Sequence, residues 1–273
     1  MILYLKVTFI SDNMKIGILA GGFKPFTSGH FAELSLAESE NDLVLLFYAL
    51  AERKKGSNYL YDIEMAKEFF NAISCSGGPL DREFGKKLKV VKTTGAPLSY
   101  VFNAILNFLG QTTPEYSNSF EKVLSEAESL TIYGDREDSM SRFVNYTKDP
   151  AKLKKYFGYF KPDPSGGGFF SLSDVNQSTG KKRIIRFDTG YNSSGDIDSR
   201  SIKALKKRMP NSSLELLQWC ATRRGTDVRR SILSKNELEI RRSLLPSLND
   251  EEFNHIVKIL YRGIPKQIKN PIY

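Results

Sequence analysis

Apolar residues in the first half of the chain come in short, nearly unbroken runs, separated by stretches in which they recur every three or four positions. The runs Lys15 to Ala20, Leu43 to Tyr48, Leu88 to Thr93 and Leu130 to Tyr133 predict strands. Their continuity predicts a sheet covered on both faces. Between and beside them, Ser28 to Glu40, Asp62 to Ile73, Leu98 to Leu109 and Phe120 to Glu128 predict helices. Such alternation defines an α/β fold, a parallel sheet wrapped by helices. From Asp138 to Ser213 the pattern breaks. Gly, Ser, Asp and Lys dominate, and only Phe169 to Leu172 and Arg183 to Phe187 read as short strands. A stretch of that length predicts a large insertion, as a hairpin subdomain, a lid or a loop. The sheet pattern resumes at Leu214 to Leu217, and Ser231 to Tyr261 predicts two or three helices. The expected organisation is a core of 14–137 plus 214–235, an insertion of 138–213 as lid or partner-binding subdomain, and a C-terminal helical extension of 236–273. Met14 precedes the first clear strand, so 1–13 reads as a dispensable extra strand.

With 273 residues, 40% of them hydrophobic, the chain can bury a substantial core. The net charge of +9 favours an anionic partner without choosing among nucleotide, nucleic acid and acidic surface. Cys75 and Cys220 stand far apart and outside any C-x-x-C arrangement, which argues against a disulfide framework or a thiolate zinc site and fits a reducing cytoplasm. Met1 to Ile10 is apolar but short, contains Lys6 and lacks a small-residue cleavage site, so neither signal peptide nor membrane span is expected.

Chemistry concentrates in two places. Gly21-Gly22-Phe23-Lys24-Pro25-Phe26-Thr27-Ser28-Gly29-His30 joins the first strand to the first helix. Unpaired backbone N–H groups and the positive end of a helix dipole make such a junction a phosphate site, with His30 as proton or charge donor beside the anion. Arg223-Arg224-Gly225-Thr226-Asp227-Val228-Arg229-Arg230 is a second helix start: Thr226 can cap it, its amides can face an anion, and Arg229 can offer a forked donor pair. In an open parallel sheet of order 3-2-1-4-5 the ligand crevice lies at the carboxyl ends of strands one and four. Lys24 leaves the first of these strands. Asp135 and Arg136 leave the other, the former suited to a ribose hydroxyl or a magnesium-bound water, the latter to phosphate. A solvent-exposed lysine and an ordinary polar turn are the plain alternatives. His255 lies on a helix whose buried face is Phe253, Ile256, Ile259 and Leu260, and reads as a surface residue. The runs Lys181-Lys182-Arg183 and Lys206-Lys207-Arg208 read as solvated, with no aromatic platform beside them. No G-x-x-x-x-G-K-[ST] loop and no His/Cys ligand cluster is present.

G-G-F-K-P-F-T-S-G-H resembles the first signature of the HxGH nucleotidylyltransferase superfamily, in the T-x-G-H form of pantetheine-phosphate adenylyltransferases. Phe23, Pro25 and Phe26 are similar to the F-x-P-F of archaeal-type nicotinamide-nucleotide adenylyltransferases. Gly225 to Arg229 resembles the second signature, S-[ST]-T-x-[IV]-R or S-G-T-x-[IV]-R, with Arg224 where the family usually has serine. Phage-encoded members with insertions are similar too. The resemblance covers about 14–137 and 214–235. It implies a Rossmann-like doubly wound sheet of order 3-2-1-4-5 and a nucleotide site shaped by Gly21, Gly22, Phe23, Gly29 and Gly225. By carry-over His30 contacts the α-phosphate, Thr27 orients the attacking phosphate, and Thr226 and Arg229 hold the β- and γ-phosphates. The implied reaction is in-line attack by a phosphorylated small molecule on the α-phosphorus of a nucleoside triphosphate, ATP before CTP, releasing pyrophosphate. Magnesium would be carried by the nucleotide. Two other readings compete: a class I aminoacyl-tRNA synthetase-like protein, which lacks a K-M-S-K-S-like loop here, and a non-catalytic nucleotide-binding or virion-associated protein retaining the fold. A homo-oligomer is compatible with the chain, and nucleic acid has charge but no motif in its favour.

Overall fold

The computed structural model describes residues 13–50, 52, 59–93, 95–111, 120–134, 140–175, 180–192 and 194–264. Its strands are β1 (Lys15–Gly21), β2 (Leu43–Ala49), β3 (Leu88–Thr93), β4 (Ser129–Tyr133), β5 (Lys161–Pro162), β6 (Phe170–Val175) and β7 (Lys182–Asp188). They form one sheet in the order β3-β2-β1-β4-β7-β6-β5, parallel from β3 to β7 and closed by the antiparallel hairpin of β6 and β5. Side chains alternate across a strand, and here both faces are covered. Ile16, Ile18, Leu45, Phe47, Ile132 and Ile185 point to one apolar layer, and Leu19, Val44, Leu46 and Tyr48 to the other. That is why the strands read as continuous apolar runs.

The first layer is completed by α4 (Pro97–Phe108), α5 (Glu121–Glu126), α6 (Ser141–Thr147) and α7 (Pro150–Phe157). The second holds α1 (Ser28–Glu40), α2 (Ile63–Ser74), α3 (Pro79–Phe84), α8 (Ser199–Arg208), α9 (Leu214–Ala221), α10 (Gly225–Leu233), α11 (Glu237–Ser243) and α12 (Asp250–Tyr261). Helices on both faces of a mostly parallel sheet make the fold Rossmann-like and doubly wound. No helix among the described residues is long and apolar enough to cross a membrane.

Two expectations are corrected. Leu214 to Leu217 is not a strand but the first turn of α9, where Ser213 at the N-cap accepts a hydrogen bond from the Leu216 N–H at 3.2 Å. A serine cap followed by Leu-Glu-Leu-Leu-Gln favours helix, and with Leu217 and Cys220 on its buried side the run has helical rather than alternating spacing. The order 3-2-1-4-5 holds for the parallel strands, but the fifth is β7, inside the 138–213 segment assigned to an insertion. Ser129 to Tyr133 on β4 pair in register with Ile184 to Asp188 on β7. The C-terminal residues 236–264 pack back onto the second layer: the Tyr59 hydroxyl donates to the Leu260 carbonyl at 2.6 Å, and Arg82 on α3 grips Glu252 on α12 through both oxygens. His255 is exposed, as expected.

Candidate functional site

Directly after β1 the chain turns over Phe23, whose φ of 26° is unusual for a bulky residue and is held by packing. Its ring lies 5.1 Å from Phe26 and 5.0 Å from Tyr48, and the Tyr48 hydroxyl donates to its carbonyl. Burial pushes the Tyr48 phenol up, so it stays protonated and keeps that bond. His30 fills the remaining side of this aromatic nest, with ring centroids 4.9 Å from Phe23 and 5.3 Å from Phe26.

Thr27 is the N-cap of α1 and sets the imidazole. Its N–H donates to His30 Nδ1 at 2.9 Å, its hydroxyl oxygen accepts from the His30 N–H at 3.4 Å, and its O–H donates to the Arg223 carbonyl at 2.9 Å. Because Nδ1 accepts a hydrogen bond, the neutral ring carries its proton on Nε2. The same Thr27 joins the segments 21–30 and 223–230 through a bond between residues 196 positions apart. The Ser28 hydroxyl adds a bond from the same helix start to the Cys220 carbonyl of α9 at 3.1 Å. Burial pushes the Cys220 thiol up, which leaves it no part as a thiolate nucleophile. Gly29 is required by this closeness: a Cβ there would sit 2.2 Å from the Arg223 carbonyl oxygen.

The two segments enclose a cleft of about 390 Å³ at the carboxyl ends of β1 and β4. One wall is Gly21, Gly22, Phe23, Gly29 and His30; the facing wall is Arg223, Arg224, Gly225 and Thr226 at the start of α10. Asp227 accepts from the Arg224 N–H at 3.1 Å and fixes that helix start. A wider depression between α8 and α9, about 510 Å³, is lined by Lys203, Lys206 and Leu214 and lies apart from both segments.

Not every expected residue faces the cleft. Thr27 is fully buried and acts through His30. Arg229 is 7% exposed and is turned to the first loop, with Nη1 donating to the Lys24 carbonyl at 2.6 Å and Nη2 to the Thr226 hydroxyl at 2.9 Å. Lys24 donates from Nζ to the Glu52 carbonyl at 3.0 Å and is outside the cleft lining. Asp135 and Arg136 lie outside the described residues. Conversely, Glu33, Tyr191 and Thr222 line the cleft without having been expected there. Glu33 was within reach of sequence reasoning, since it follows His30 by three positions on one helix face. Tyr191 was not, because its position depends on β7.

No family model matches the sequence, and no curated protein matches it. Among solved structures, the fold is similar to Thermotoga maritima TmcAL crystallised with alpha-thio ATP, at a TM-score of 0.34 and 12% identity over 92% of this chain and 57% of that one. The chain thus spans somewhat more than half the length of that protein.

Proposed function

We propose that the cleft transfers a nucleoside monophosphate, AMP from ATP in the first instance, to a phosphorylated small molecule with release of pyrophosphate. The observation that carries this reading is the fixed imidazole. His30 is locked by Thr27 and by two aromatic rings in the one tautomer that donates from Nε2, opposite a helix start bearing Arg223 and Arg224.

On this reading the triphosphate enters between the walls. Its α-phosphate meets His30, and its β- and γ-phosphates meet the α10 start through Arg223, Arg224 and the Gly225 and Thr226 backbone. Lys24 and Arg229 act from behind, as positioning residues that tie the first loop to α10. Little covalent work falls to the protein, because alignment and donors aimed at developing charge supply the rate. Magnesium carried by the nucleotide would shield the charge of the triphosphate. Glu33 is the one carboxylate among the described cleft-lining residues, and no group of three or more His, Cys, Asp or Glu suited to a metal stands among the described residues.

The test is pyrophosphate release by the purified chain with magnesium, each of the four nucleoside triphosphates and a panel of phosphorylated acceptors. Release that needs one triphosphate, one acceptor and His30 supports the reading. Silence across the panel, with folded protein and no nucleotide-induced thermal shift, overturns it in favour of a non-catalytic protein.

A further inference from the structure

Helices α6 and α7 carry a surface that the cleft does not use. Phe143 and Phe157 sink into the first apolar layer and Phe160 anchors the turn after α7, all three at 4% exposure or less. Around these anchors lie half-buried aromatic residues, packed on Phe102, and basic residues. Tyr146 and Tyr156 have ring centroids 5.3 Å apart. Lys152 Nζ lies 5.7 Å from the Tyr146 ring centroid, and Lys155 Nζ 5.2 Å from that of Tyr156. Lys148, Lys154 and Lys161 in the same stretch of chain are exposed. From 146 to 161 the sequence has one carboxylate, Asp149, which caps α7 through the Ala151 and Lys152 N–H groups and pairs with the Lys152 ammonium at 3.6 Å, leaving the other lysines of the segment in excess. Tyr159 is 83% exposed, yet its backbone is held between buried Phe157 and Phe160 by the Gly158 cap at φ 62°, so the ring is presented from a fixed turn.

We propose that this face binds single-stranded nucleic acid. A face that served only solubility would need lysines but no tyrosine at this exposure, and an apolar protein contact would not carry five lysines. The combination matches a ligand that is anionic along its backbone and planar on its unpaired bases. Duplexes hide those base faces, so Tyr159 selects for single strands. The lysines set affinity without reading sequence. The surface stands on α6 and α7 rather than on the cleft, and it holds or fails independently of the proposed reaction.

The experiment is fluorescence anisotropy of labelled oligouridylate, oligodeoxythymidylate and a duplex of equal length, titrated with the full chain at several salt concentrations. Tyr159→Ala should weaken single-strand binding by about 5- to 100-fold, the loss of one stacked base, while Tyr159→Phe retains it. Lys154→Glu combined with Lys155→Glu should weaken binding and flatten its salt dependence. Unchanged thermal midpoints would show that each variant is folded. Absence of binding at low salt, equal affinity for duplex and single strand, or indifference to Tyr159→Ala would each overturn the proposal.

Discussion

One hydrogen bond decides which nitrogen of His30 bears its proton, and so what the ring can offer an anion. With Thr27 N–H on Nδ1, donation falls to Nε2. His30→Ala should lower pyrophosphate release by about 10²- to 10³-fold while leaving the thermal midpoint nearly unchanged, the usual cost of one transition-state donor. Thr27→Val removes the cap and the bond to the Arg223 carbonyl but not the backbone N–H. It should cost about 1–2 kcal/mol in denaturant unfolding, and Thr27→Ser should restore both stability and turnover. Gly29→Ala drives a methyl into the Arg223 carbonyl, with nothing flexible to yield. An overpacking cost of about 1–3 kcal/mol is expected, together with lost turnover as the two cleft walls separate. An unchanged melting curve for Gly29→Ala would show that the walls are not in contact.

Elements meet through charged ties that look, in the sequence, like ordinary surface residues. Arg183 and Arg208 end runs that read as solvated. Instead Arg183 lies over the Phe108 ring and donates to the Phe108 carbonyl, while Arg208 pairs with Glu38 and Glu83 and lies over Phe84. The α3–α12 contact is testable by pH. Arg82 holds the Glu252 carboxyl below the usual carboxylate range, with the Asn249 N–H assisting. A depressed folded-state value means that the stabilisation is present above the unfolded-state pKa of about 4.3, and is lost as pH falls through the folded value. Glu252→Gln should therefore remove about 0.2–1 kcal/mol near neutral pH, as for a partly exposed pair, and nothing at the acid end. Equal losses at both pH values would assign the effect to capping rather than charge.

Over the whole molecule, one ion network ties together the elements that frame the cleft. Glu40 at the end of α1 accepts from Arg186 at 2.6 Å, Arg200 at 2.8 Å and the Tyr133 hydroxyl at 2.9 Å. Arg200 also pairs with Asp198 at 2.9 Å and with Asp188, whose side chain is 1% exposed, at 3.1 Å. Asp188 in turn accepts the Gly190 N–H on its carboxylate and the Gly134 N–H on its carbonyl. Gly134 and the nearby Tyr191 both line the cleft, so α1, β4, β7 and α8 are fixed together. Arg200→Ala leaves the buried Asp188 carboxylate with the Gly190 N–H and, as a cation, the more distant Arg186, and should cost up to about 3 kcal/mol, the low end for a broken buried pair because Arg200 is itself partly exposed. Its thermal midpoint and its turnover should fall together. A stable Arg200→Ala protein with normal turnover would show that the network is ornamental to the cleft.

What the sequence determined by itself is local. Runs buried on two faces, caps such as Thr27, and glycines where backbones approach leave signatures within a few residues, because their causes lie within one turn or one strand. The first four parallel strands and the helix starts at α1 and α10 were legible on that basis. Arg183 to Phe187 was legible as a short strand, but its place as the fifth parallel strand was not, since the pairing of β7 with β4 is a long-range choice in a stretch rich in polar and glycine residues, and Leu214 to Leu217 was too short an apolar run to tell helix from strand. Tertiary structure alone decided which side chains face the cleft. Arg229 and Lys24 carry the charge a phosphate site needs, but packing turned Arg229 to the first loop and Lys24 to the Glu52 carbonyl, and brought Glu33 and Tyr191 to the wall instead. Residue type sets what a group can do; only the positions of distant elements set what it meets.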